Sequence, residues 1–296
     1  MQTKNFSISR IVHGQMRLAE WNLSSQALLG FLEELIELGV TTLDHADIYG
    51  NYVCEAILGE TISLDKTIRD RIQIVTKCGI KLVSDKFPGR KVKVYDYSYD
   101  HIITSVENSL RNFRTDRIDL LLLHRPAPFF DPAAAARAFA DVKQQGKVLH
   151  FGVSNFNPGQ FEMLQAHTSE ILVTNQVEIS PYCLEHFENG NVDFFLKEKI
   201  KPMAWSPMAG GKLLNPEDRK GTQVLRVLKE IADELNVVPV DKVIYAWLLK
   251  HPAGFIPVVG SGKIERVKYA VEALDIDMSL EQWFRVFVCA RGSDLP

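Results

Sequence analysis

The stretch from Ile118 to Val153 reads IDLLLLHRPAPFFDPAAAARAFADVKQQGKVLHFGV, and it holds one full repeat of the fold. Ile118 to His124 is a short, nearly all-apolar run, as a strand covered on both faces requires. Asp131 offers a side-chain cap for a helix, Pro132 suits its first position, and Gly146 stands just past its end. Val148 to Val153 is the next apolar run. Strand, helix and strand at this spacing predict parallel neighbours joined by a crossover helix.

Working outward, six more runs of the same kind appear: Ser9 to Gly14, Thr41 to His45, Ile72 to Cys78, Leu172 to Val177, Lys201 to Ser206 and Phe255 to Gly260. Segments with helical period lie between them. Leu28, Phe31, Leu32 and Leu35 share one face, Ile103, Val106, Leu110 and Phe113 follow Asp100 as expected N-cap, and Leu225, Leu228, Ala232 and Leu235 mark another helix. Eight strand–helix repeats in 296 residues, with no Pro/Gly/Ser-rich linker, predict an α/β fold. The architecture expected is one (β/α)8 TIM barrel forming a single domain over residues 1–296. A dinucleotide-binding Rossmann domain would need G-x-G-x-x-G after an early strand, and the glycine pairs come late, at Gly210-Gly211 and Gly260-Ser261-Gly262.

Composition narrows the function classes. Hydrophobic residues make up 46% and charged residues 24%, which leaves no case for disorder or a fibrous chain. The net charge of −3 supplies no positive field for nucleic acid or anionic lipid, so neither is an expected partner. Met1 to Arg10 has no apolar run of secretory type and no stretch is long enough to cross a bilayer, so a cytoplasmic location is expected. Cys54, Cys78, Cys183 and Cys289 form no C-x-x-C pair; they read as reduced thiols, and no metal is expected.

A barrel builds its active site at the C-terminal ends of its strands. Asp44 stands at the C-terminal end of the second apolar run, one residue before its last, Tyr49 follows five residues later, Lys77 holds the same place in the third run and His124 ends the fourth. Each alone has an ordinary structural reading as a cap, a rim residue, a solvated lysine or a satisfied core histidine. Together they make chemical sense. A phenol is a poor acid at neutral pH until an ammonium stabilises its phenolate, and a buried ammonium needs a carboxylate to stay charged. His124 could polarise a carbonyl oxygen while Tyr49 protonates it. The hydride such a reduction needs must come from a cofactor, because no side chain can donate one.

These residues sit in motifs that closely resemble those of the aldo-keto reductase family. They are Leu43-Asp44-His45-Ala46-Asp47-Ile48-Tyr49-Gly50 with Glu55 and Gly59 behind it, Lys77, His124-Arg125-Pro126, Gly152-Val153-Ser154-Asn155, Asn175-Gln176-Val177-Glu178 and Trp205-Ser206-Pro207. The resemblance implies a (β/α)8 barrel that binds NADPH and reduces aldehydes or ketones to alcohols, with Asp44, Tyr49, Lys77 and His124 as catalytic tetrad. It assigns Ser154, Asn155 and Gln176 to the nicotinamide carboxamide and Trp205 to the nicotinamide face. Ser206 through Lys212, including Pro207 and Gly211, then covers the pyrophosphate, and Ser261, Gly262, Lys263 and Arg266 hold the phosphate end. Gly260 departs from the Lys that many members carry, and Tyr269 and Ala270 from Glu and Asn. Lys263 and Arg266 still favour NADPH over NADH.

Substrate selection is expected from Met16, Trp21, the insertion from Gly79 to Tyr99, Phe129 and Phe130, with Arg125 where many members place Trp. Arg125 either receives a substrate carboxylate or makes a structural ion pair. The family resemblance implies a monomer acting on a small carbonyl compound. Two other readings compete: an NADPH-binding regulatory or redox-sensing subunit with little turnover, and a metal-dependent hydrolase using Asp44, His45, Asp47 and His124. The second lacks H-x-H and H-E-x-x-H.

Overall fold

The computed structural model describes residues 6–295. The strands are β1 (Val12–Gly14), β2 (Thr42–Asp44), β3 (Gln73–Cys78), β4 (Ile80–Lys81), β5 (Val94–Tyr95), β6 (Ile118–Leu123), β7 (Val148–Ser154), β8 (Leu172–Glu178), β9 (Met203–Trp205) and β10 (Ile256–Val259). Eight of them close a parallel barrel in the order β1-β10-β9-β8-β7-β6-β3-β2, while β4 and β5 form a separate antiparallel pair. Each of the eight apolar runs holds one barrel strand. The hairpin of β4 and β5 falls inside the insertion after Lys77, where no strand was expected.

The principal helices are α1 (Ser25–Glu37), α2 (Tyr49–Tyr52, a single irregular turn), α3 (Cys54–Ile62), α4 (Ile68–Arg71), α5 (Tyr99–Phe113), α6 (Pro132–Gln144) and α7 (Pro158–Gln165). They continue with α8 (Glu185–Glu188), α9 (Asn191–Glu198), α10 (Arg219–Leu235), α11 (Asp241–Lys250), α12 (Ile264–Glu272) and α13 (Leu280–Arg291). No helix among the described residues is long and apolar enough to cross a membrane. In α6 the Asp131 carboxylate accepts from the N–H groups of Ala133 and Ala134, Pro132 opens the helix, and Gly146 follows it at φ 70°. α1 buries Leu28, Phe31, Leu32 and Leu35 as its periodicity requires.

Two helices differ from expectation. Ser98, not Asp100, caps α5: its extended backbone lets the hydroxyl accept from His101 N, and Asp100 lies inside the first turn, where its charge suits the helix dipole. The buried face of α5 runs through Ile102, Ser105, Val106, Ser109, Leu110 and Phe113, so Ile103 is rotated off it. In α10 the buried face is Val224, Val227, Leu228, Ile231 and Ala232, with Leu225 and Leu235 at its margins.

The chain groups into two compact units, one ending at Asn175 and one starting at Gln176. In the first, the parallel register pairs Gly14 with Asp44, Asp44 with Val75, Lys77 with Leu122, and Leu122 with Gly152. Side chains alternate between faces with period 2, so Asp44, Lys77, His124 and Ser154 all belong to one face at the C-terminal ends of their strands. Gly152 shares that face by the same register, and glycine is required there: a Cβ would lie 2.7 Å from Thr174 O and 2.8 Å from Leu122 Cδ2. In the second unit β8 pairs with β9, Gln176 opposite Met203 and Glu178 opposite Trp205, and β9 pairs with β10.

Candidate active site

The centre of the site is Lys77, whose side chain is 1% exposed. Its ammonium donates to both carboxylate oxygens of Asp44 at 2.8 Å and to the carbonyl of His45 at 2.7 Å, and lies 3.2 Å from the Tyr49 hydroxyl. Burial works against the charge, but Asp44 and then Tyr49 outweigh it, and the Lys77 pKa lies above its usual value. Tyr49 is also raised, mainly by burial, with Lys77 pulling the other way. The phenol is therefore neutral and hydrogen-bonded to a cation.

His124 closes the group. Its ring meets that of Tyr49 edge-on, with centroids 5.9 Å apart. Burial, followed by the charges of Lys77, Arg125 and Lys93, holds its pKa well below the ordinary histidine value, so the imidazole is neutral. A buried imidazole should find a polar partner, yet Nδ1 has none among the described residues.

The opposite strand face braces this one. Thr76, next to Lys77, donates to Glu55 Oε1 at 2.7 Å, and Ser109 donates to the same oxygen at 2.8 Å. Asn112 donates to Glu55 Oε2 at 3.1 Å. Glu55 on α3 thus ties β3 to α5, and burial raises its pKa although all three donors favour the carboxylate. Gly59, one turn on, lets the helices touch, since a Cβ there would sit 1.9 Å from Asn112 O. His45 also faces this way, its ring 5.1 Å from that of Phe113, and therefore points away from Asp44. No cluster of three or more His, Cys, Asp or Glu able to hold a metal occurs among the described residues.

Further along the same face, Ser154 is buried, and Asn155 after it adopts a left-handed backbone, φ 63°. Asn155 Nδ2 donates to Ser154 Oγ at 2.8 Å and reaches His124 O at 3.4 Å. Asn175 Nδ2 donates to Phe156 O at 2.7 Å, fixing the chain after β7. Of the expected substrate residues, Met16 is exposed, and Trp21 packs on His13 and Phe31. Phe129 is 94% exposed, whereas Phe130 lies against Tyr97 and Phe156. Arg125 is half-buried, with its backbone held at both ends by one hydroxyl: Tyr97 Oη donates to Arg125 O at 2.6 Å and accepts from Arg125 N at 2.9 Å.

In the second unit, Gln176 is buried with Nε2 3.8 Å from Met203 Sδ, and Trp205 is half-buried at the end of β9. Ser206 and Ala209 take left-handed backbone at φ 52° and 50°, and Gly211 reaches φ 102° with open space around it. Pro207 is buried within this loop, and Lys212 Nζ lies 5.7 Å from the Tyr182 ring. Lys263 is the N-cap of α12, which has no side-chain cap; Lys263 N donates to Ser261 Oγ at 3.2 Å, and Gly262 lies between them. Lys263 and Arg266 are exposed. The hairpin partners Asn51 and Tyr52 escaped sequence reading; the only trace of them is the turn-rich Tyr-Gly-Asn-Tyr itself.

Comparison with known proteins identifies the family and the fold. The family model described as Aldo/keto reductase family matches residues 10–289. The chain is 46% identical to the uncharacterized oxidoreductase YcsN of Bacillus subtilis (strain 168), over 99% of this chain and 98% of that one. It is 40% identical to a 6-dehydroglucose reductase of Agrobacterium fabrum, over 97% and 96%. The solved structure of a thermostable aldo-keto reductase superposes with a TM-score of 0.78 at 23% identity, covering 97% of each chain, and so shares the fold. A barrel of eight parallel strands and a family match spanning nearly its whole length make this chain a member of the aldo/keto reductase family of oxidoreductases.

Proposed function

We propose that the chain is an NADPH-dependent reductase that converts aldehyde or ketone carbonyls of small molecules to alcohols, with Tyr49 as general acid. The observation that carries this reading is the Lys77 ammonium, buried, paired with Asp44 and 3.2 Å from the Tyr49 hydroxyl. A phenol beside a fixed cation can release its proton and hold the negative charge left behind; one in apolar surroundings cannot. Asp44 keeps Lys77 charged. His124, neutral, offers a ring N–H to the carbonyl oxygen from a second side.

When bound, NADPH supplies the hydride that adds to the carbonyl carbon. Tyr49 gives its hydroxyl proton to the carbonyl oxygen, Lys77 stabilises the phenolate, and solvent restores the proton. The residues present fit such a cofactor. Ser154, Asn155 and Gln176 combine donors and acceptors suited to a carboxamide, and Trp205 offers an aromatic face. Ser206, Pro207, Gly211 and Lys212 suit the pyrophosphate. α12 starts without a side-chain cap, which leaves N–H groups for a phosphate beside Ser261, Gly262 and the cations Lys263 and Arg266.

A relative 40% identical is a 6-dehydroglucose reductase, which favours sugar-derived aldehydes as the substrates to try first. The test is NADPH consumption with sugar aldehydes and small dicarbonyls, wild type against Tyr49→Phe. Turnover should fall by about 10²- to 10⁴-fold in the variant while NADPH still quenches tryptophan fluorescence. Equal turnover in the two proteins refutes the assignment of Tyr49.

A further inference from the structure

We propose that the hairpin of β4 and β5, with the loop between them, is a clamp that positions Tyr49 by gripping the two residues Asn51 and Tyr52. The inference rests on the reading of Tyr49 as the acid and adds to it what holds the acid in place.

The backbone after Tyr49 is unusual. Gly50, Asn51 and Tyr52 follow it at φ 58°, 55° and 66°, three left-handed residues in succession. That conformation is natural for glycine, tolerable for asparagine and unfavourable for tyrosine. The turn is also pressed from below, since a Cβ on Gly50 would lie 2.6 Å from Cys54 Sγ. A strained turn persists only where its surroundings over-determine it, and here the hairpin does so.

Asn51 Nδ2 donates to Asp85 Oδ1 at 2.8 Å, and Ser84 Oγ donates to Asn51 Oδ1 at 2.6 Å. Tyr52 Oη accepts from Leu82 N and from Arg90 Nη1, both at 2.9 Å. The Arg90 guanidinium lies 3.7 Å from the Phe87 ring centroid, and Phe87 meets Tyr52 edge-on at 5.0 Å. The hairpin is closed at its base by the Lys81–Asp96 ion pair and by Asp96 N donating to Gly79 O at 2.8 Å. Asn51 and Tyr52 are therefore bonded to residues some thirty positions away, on an element that makes no barrel strand. Their neighbour Tyr49 must keep its hydroxyl within reach of Lys77, and a displacement of about 1 Å there costs about a hundredfold in rate.

Asn51 is exposed, so its variants should fold. Asn51→Gly accepts the same backbone angle and removes only the side-chain bonds; Tyr52→Phe keeps the ring and removes the acceptor. Asn51→Asp combined with Asp85→Asn swaps donor and acceptor and restores the pair. The readouts are backbone hydrogen exchange over residues 49–53, kcat against KM, and the NADPH Kd. Asn51→Gly and Tyr52→Phe should each speed exchange there by about tenfold or more and lower kcat about ten- to hundredfold, with NADPH Kd unchanged; the swap should restore both. Wild-type exchange in both single variants overturns the clamp, and faster exchange with unchanged kcat overturns its positioning role. If Tyr49→Phe itself keeps full turnover, the acid assignment fails instead, and exchange still reports whether the hairpin grips the turn.

Discussion

Replacing Lys77 with methionine should damage stability and activity in separable ways. The side chains of Lys77 and Asp44 are 1% and 4% exposed and joined at 2.8 Å. Removing the cation leaves a carboxylate buried without its counter-ion, which costs about 3–5 kcal/mol. At about 2–4 °C per kcal/mol for a chain of this size, Tm should fall by roughly 6–20 °C. Adding Asp44→Asn removes the stranded charge, and the double variant should recover most of that loss, because a neutral replacement of a buried pair is often tolerated. Activity follows a different rule, since neither variant can stabilise the Tyr49 phenolate, and both should lose turnover. The pH dependence follows from the same pair. The folded pKa of Lys77 lies above the free value of 10.5, burial opposing while Asp44 and Tyr49 prevail. The folded state then holds this proton more tightly than the unfolded state. Its stabilisation is complete below the unfolded pKa and fades as pH climbs through the folded one. Urea titrations of the single and double variants, repeated toward alkaline pH, measure all of this. A Lys77→Met protein within about 1 kcal/mol of wild type, or a double variant no more stable than Lys77→Met alone, would refute the reasoning.

Other perturbations have clear expected outcomes. Gly59→Ala puts a Cβ 1.9 Å from Asn112 O and must push α3 from α5, so it should cost about 1–3 kcal/mol by denaturant melting; an unchanged midpoint would contradict the close approach. His45 is fully buried, neither ring nitrogen has a partner among the described residues, and burial with the nearby charges of Lys77 and His13 holds its pKa well below 6.5. Protonation therefore favours the unfolded chain, and this share of stability is present above about pH 6.5 and lost as pH falls below it. His45→Leu should make the acid-side decline shallower and raise stability at neutral pH by about 1 kcal/mol, which thermal melts at two pH values would check. Arg266→Ala should weaken NADPH binding about tenfold and leave NADH binding unchanged; fluorescence titration with both nucleotides distinguishes this from a general loss of fold.

Much of this protein can be read from its sequence because the relevant signals are local. Eight short apolar runs separated by helical periodicity predict the barrel, and the two-residue alternation of a strand fixes which residues share a face once the strand ends are located. Asp44, Lys77 and His124 each lie within one residue of the end of such a run, so their convergence follows from the fold class, and the family motifs carry the rest. The capping of α6 by Asp131 is legible for the same reason, since its donors are two and three residues away. The details that escaped are set by residues far apart in the chain. Glu55 draws its donors from positions 76, 109 and 112, and only the packing of α3 on α5 brings them together. Ile103 leaves the buried face of α5 because neighbouring elements, not periodicity, choose which of two adjacent apolar stripes turns inward. The left-handed turn of Asn51 and Tyr52 carries almost no local preference, because it is held by Ser84, Asp85, Leu82 and Arg90 on the hairpin. Sequence determines which residues can do the chemistry; the tertiary structure decides what holds them still, because those bonds join residues that no local pattern connects.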